Sequence, residues 1–126
     1  MGGRSRAGRE KTIGYARGME TTPALLCLAT CPDEACAASL ARALVGEGLA
    51  ACVSRLPMTA SVYRWQGEVH EEPEVLLLIK TTRECWPRLK ERLPALHPYD
   101  TPELIALPVS DGLPAYLAWL AAETLR

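Results

Sequence analysis

The chain has 126 residues, 48% of them hydrophobic and 23% charged, which is one domain's worth of sequence with an ordinary core. Lys and Arg number 14 against 15 Asp and Glu, for a net charge of −1 and a pI near 6.1. That leaves no basic field for sequence-independent nucleic-acid binding, and no apolar run approaches the roughly 20 residues of a membrane span.

Residues 1–18 are basic, with Arg4, Arg6, Arg9, Lys11 and Arg17 against Glu10 alone. No apolar stretch follows the charges, as a signal peptide requires, and no apolar face suggests a presequence. The expectation is a disordered tail over 1–20, with Met19 as an alternative start and one domain over 21–126. Cys27, Cys31, Cys36, Cys52 and Cys85 are an odd number without a CxxC pair or a common zinc spacing. They read as reduced thiols filling apolar space, which fits a cytoplasmic protein.

The run from Ala24 to Thr30 is apolar without alternation and predicts a strand buried on both faces. Pro32, Asp33 and Glu34 open a helix with Ala37, Leu40, Ala41 and Leu44 on one side, ending at Gly46 or Gly48. Leu49–Pro57 reads as a second strand. It continues extended through Thr59–Trp65 to a turn at Gln66-Gly67 and an acidic arm, Glu68–Glu74. Those arms are too long for one small sheet, so part of the ribbon projects beyond it. Val75–Lys80 is a second double-faced apolar strand.

Thr81–Glu84 carries a capping-box pattern, and Pro87 requires the helix to begin within a residue or two before it. Trp86, Leu89, Leu93 and Leu96 share its inner face, with Pro94 fraying the end. His97–Pro102 is a rigid loop, Glu103–Val109 a last strand, and Ser110 starts a closing helix with Leu113, Leu117 and Leu120 inward. Trp86 and Trp119 are expected in the core.

The order is β-α-β-β-α-β plus a terminal helix, an α+β ferredoxin-like split sandwich with both helices on one face of an antiparallel sheet. The first and third strands are central in that topology. Period two puts Val75, Leu77 and Ile79 on one face and Leu76 and Leu78 on the other. The helix-free face would expose aliphatics in a single chain, which predicts self-association through Leu76 and Leu78, with Val62 as a further interface candidate.

Several segments now resemble one family. They are Cys31–Ala35, Gly48–Val53, Ser61–Trp65, Leu78–Thr82, His97–Glu103, Ala106–Val109 and Tyr116–Trp119, in order over roughly residues 24–122. They are similar to the CutA divalent-cation tolerance family. The resemblance implies a homotrimer like the nitrogen-regulatory PII proteins, whose long second and third strands reach a neighbouring subunit and whose clefts lie between subunits. It implies copper(II) or another divalent cation as ligand, with no cofactor needed for folding and no established catalysis.

His97 is the position that carries over from the family's metal sites. Leu96 stands where some members have a second histidine, and Ala29 stands where a family cysteine is proposed as a ligand. Cys31 and Glu103 are the additional candidate donors. The other reading of His97 is a hydrogen-bonded loop histidine. His70, among Glu68, Glu71, Glu72 and Glu74, reads as a weak cation attractor or a solvated edge.

Tyr63, Trp65, Lys80, Tyr99 and Glu103 form a second constellation, in which the lysine meets an anionic ligand and an aromatic ring stacks on it. The competing reading packs the aromatics across a subunit interface and pairs Lys80 with an acid. The sequence has no GxSxG, HExxH or Walker loop, so an enzyme is not expected. The leading expectation is a non-catalytic trimer binding a divalent metal or small ligand, without nucleic-acid or membrane partners. The alternatives are a PII-like sensor of an anionic metabolite and a stable interaction scaffold.

Overall fold

A computed structural model describes residues 22–57 and 60–125; the tail read over 1–20 lies outside the described residues. Strands β1 (Ala24–Cys31), β2 (Cys52–Pro57), β5 (Val75–Thr82) and β6 (Leu104–Pro108) make a four-stranded sheet in the order β2-β5-β1-β6. Its three pairings are all antiparallel. The two double-faced apolar runs are the two central strands, as expected. Strands β3 (Ser61–Trp65) and β4 (Glu68–Glu72) form a separate two-stranded sheet, the projecting ribbon. Its turn holds Gln66 at φ 52° and Gly67 at φ 82°, the paired left-handed conformations of a tight hairpin.

Helix α1 (Glu34–Gly46) starts where Asp33 accepts from the Cys36 N–H at 2.8 Å. Helix α2 (Trp86–Leu96) begins one residue before Pro87, with Thr82 Oγ1 accepting from the Cys85 N–H at 3.2 Å. It runs past Pro94 to Leu96 rather than fraying there. Helix α3 (Pro114–Ala122) begins later than Ser110, because Leu113 precedes a proline and is held extended at ψ 123°. Strand β2 begins at Cys52 rather than Leu49, since the Leu49 and Ala50 N–H groups both turn back to the Leu44 carbonyl.

The main core lies between α1, α2 and one sheet face. Cys27, Ala29, Cys31, Leu77 and Ile79 meet Leu40, Leu44, Leu89 and Leu93 there. The opposite face carries Leu26, Leu28, Leu76 and Leu78 half-buried, and Leu56, Ile105 and Leu107 exposed. Helix α3 covers only one end of it, where Leu120 packs with Ala24 and Ala51. Leu113 and Trp119, expected inward, stand exposed at 71% and 44%. The reason is that α3 is apolar on every side, so its sequence does not mark one inner face. Trp86 does pack against the main core, although half-buried.

Candidate functional site

A cleft of about 530 Å³ opens between β3 and the loop before β6. Ser61, Val62, Tyr63 and Trp65 line one wall; Tyr99, Asp100, Thr101 and Glu103 line the other, with Thr30 and Glu74 also lining it. Alternation along β3 puts Tyr63 and Trp65 on one side of the ribbon. His70, opposite Tyr63 in register, stacks on that ring at 5.5 Å and 22°.

The loop wall is held by His97. Its ring is only 7% exposed, with Nε2 2.7 Å from the Thr30 carbonyl oxygen and Nδ1 accepting from the Tyr99 N–H at 3.1 Å. Both ring nitrogens are therefore in use. The ring tilts against Tyr99 at 4.9 Å and so ties the loop to the end of β1. A metal at His97 requires the ring to give up one of these partners.

Electrostatics in the cleft have one sign. Glu74, Asp100 and Glu103 line it without any Lys or Arg among the lining residues. Burial, with Glu74, Tyr63 and Glu72 nearby, pushes the Tyr99 phenol above its ordinary range, so it stays a neutral donor. Among the described residues, no three His, Cys, Asp or Glu side chains converge closely enough to hold a metal ion.

Tyr63, Trp65, Tyr99 and Glu103 thus meet as the sequence suggested, but Lys80 does not join them. Its Nζ donates to Ser54 Oγ at 2.6 Å and lies 3.7 Å from Cys52 Sγ. Lys80 is opposite Leu26, whereas Thr30 is opposite Leu76, which sets the lysine roughly 13 Å along the sheet from the cleft. Nor does Cys31 reach it: the side chain belongs to the core beneath the helices and is fully buried. Burial raises that thiol well above the ordinary range, so it keeps its proton and is a poor ligand. Leu76 and Leu78 lie half-buried on the face away from α1 and α2, and Val62, 65% exposed, lines the cleft. Sequence reasoning missed Glu74 and Asp100 as site residues. Glu74 was indistinguishable from its acidic neighbours, and Asp100 lay within the loop motif without a marked partner.

A family model described as CutA1 divalent ion tolerance protein matches residues 25–123. The chain belongs to the CutA1 family. It is 55% identical over 97 residues to the divalent-cation tolerance protein CutA of Thermus thermophilus, covering 77% of this chain and 94% of that one. It is 47% identical to protein CutA of Mus musculus over 75% of this chain, and spans 54% of the mouse protein's length. Two solved structures fit closely. The Cut A1 divalent cation tolerance protein from Thermus thermophilus superposes with a TM-score of 0.78 at 52% identity, over 80% of this chain and 98% of that one. CutA1 from Oryza sativa gives 0.80 at 40% identity, over 84% and 97%.

Proposed function

We propose that this CutA1 protein is a non-catalytic homotrimer that collects cations, divalent metals such as copper(II) included, in the cleft beside the ribbon. The observation that carries the reading is the cleft's lining of three carboxylates without a basic side chain. A concave, partly apolar wall strengthens the field of those carboxylates above what water would allow. The anionic-metabolite reading loses support because Lys80, its only cationic contact, sits elsewhere on the sheet.

Carboxylate oxygens are the available donors, and they favour weak, partly hydrated binding over a tight cage. The apolar face that α3 leaves largely uncovered supports assembly, and the family resemblance supports three copies. Five free cysteines support a reducing, cytoplasmic setting, and no helix among the described residues is long and apolar enough to cross a membrane. Ferredoxin-like topology is the reading of the strand order that fits the sequence best.

Calorimetric titration with copper(II), zinc and magnesium tests this directly. Saturable binding is expected, weakened at least several-fold by Glu103→Gln and retained in His97→Ala once the trimer is verified. Binding that vanishes in His97→Ala and ignores Glu103→Gln would return the site to the imidazole.

A further inference from the structure

Two of the five free thiols meet. Cys31 closes β1, and Cys36 stands in the first turn of α1. Only Pro32 and Asp33 separate the two elements, and Asp33 folds that connection tightly. Its side chain accepts from the Cys36 N–H at 2.8 Å and its carbonyl from the Ala37 N–H at 3.1 Å. The turn sets Cys36 against the core cluster to which Cys31 belongs, and the Cys31 thiol has the Cys36 thiol as a hydrogen-bonding neighbour. Other thiols have different company: Cys52 lies beside Lys80, and Cys85 Sγ is 3.6 Å from the Leu49 carbonyl oxygen.

Access divides the pair. Cys31 is fully buried, whereas Cys36 is half-buried on the helical layer. Cys36 belongs neither to the ribbon nor to the sheet face assigned to assembly. An accessible thiol beside a buried one lets oxidation begin near the surface and be resolved from within. Burial, the Cys36 thiol, Asp33 and Glu74 all favour the protonated form of Cys31, so it does not react first.

We infer that Cys31 and Cys36 form a reversible dithiol–disulfide pair that reacts with low-molecular-weight disulfides, such as that of glutathione. The Cys36 thiolate attacks one sulfur of the oxidant, breaks its S–S bond and releases one glutathione thiolate, leaving a mixed disulfide. Cys31 then gives its proton to solvent and attacks Cys36 Sγ, which forms the protein disulfide and releases the second glutathione. Two protein thiols are oxidised while one disulfide is reduced to two thiols, so no other reactant is needed. The new bond ties the end of β1 to α1, one residue after the Thr30 carbonyl that His97 holds.

The test exposes the full chain to glutathione disulfide in parent, Cys31→Ala and Cys36→Ser proteins, followed by thiol counting, intact mass and peptide mapping. The parent should lose two of its five free thiols, keep no glutathione, and yield one peptide pair joined between Cys31 and Cys36. Dithiothreitol should restore both thiols. Cys31→Ala should stop with one glutathione held on Cys36, and Cys36→Ser should react at least tenfold more slowly at every remaining thiol. Release of the second glutathione from the parent should quicken about tenfold per pH unit between pH 7 and 9, as the Cys31 thiolate fraction rises. Should Cys31→Ala fail to fold, the peptide map and pH dependence of the parent decide alone. Glutathione retained on Cys36 of the parent, a bridge through any other cysteine, or an unreactive Cys36 overturns the inference.

Discussion

His97 shows how a single side chain changes meaning when its partners are visible. In the sequence it is the best copper donor; in the fold both nitrogens already serve the loop, and the ring becomes a brace between β1 and Tyr99. The buried thiols have a similarly clear consequence. Cys27, fully buried, is raised from 9.0 to about 12 by loss of solvent, and Cys85 moves the same way for the same primary reason. These thiols stay protonated in the folded chain while the unfolded chain loses those protons near pH 9. Stability is therefore complete below that pH and is lost as pH rises towards the folded value, by at most roughly 1.4 kcal/mol per pH unit for each thiol. Urea unfolding between about pH 8 and 10.5 should show this decline, and Cys27→Ala should flatten its slope. A pH-independent stability across that interval would contradict the burial argument.

The ends of the elements are held together by one small contact. Gly48 has φ +75°, its carbonyl accepts from the Leu125 N–H at 2.8 Å, and an added Cβ would meet Leu125 Cγ at 2.6 Å. The turn after α1 thereby seats the segment after α3, and glycine answers both a backbone and a steric need. Gly48→Ala is expected to lower stability by about 1–2 kcal/mol, through left-handed strain and displacement of Leu125. Denaturant melts at pH 7 decide this, and an unchanged midpoint would show the Leu125 contact to be dispensable. The central strands, α1 and the Gln66-Gly67 hairpin were legible because local rules and tertiary packing agree there. Helix α3 was only half legible: Leu117 and Leu120 turn inward, but Leu113 and Trp119 do not, and an all-round apolar helix offers no period to tell them apart.

At the scale of the whole molecule, the sheet divides two tasks between its faces. Val75, Leu77 and Ile79 complete the core, while Leu76 and Leu78 join Leu26, Leu28, Ile105 and Leu107 in an apolar surface on the single chain. Burial of each leucine in an assembly contributes roughly 1.5–3 kcal/mol, and a carboxylate in its place adds a large desolvation cost. The pair Leu76→Glu and Leu78→Glu should give monomer or aggregate by light scattering, and a soluble assembly of the parent's size would contradict the interface assignment. Alternation made this face readable, but the cleft was not readable in the same way. It depends on contacts between residues far apart in the chain, and so only the fold could bring Glu74 to Tyr99 and part Lys80 from both.

In the proposed function, cations gather where Glu74, Asp100 and Glu103 face the aromatic ribbon. Anomalous diffraction from crystals grown with copper(II) locates the ion without reference to affinity. A peak is expected inside this cleft, nearest the carboxylates, with His97 still bonded to Thr30 and Tyr99. A peak coordinated by a His97 ring swung free of those partners, or one at the cysteines with the cleft empty, would contradict it.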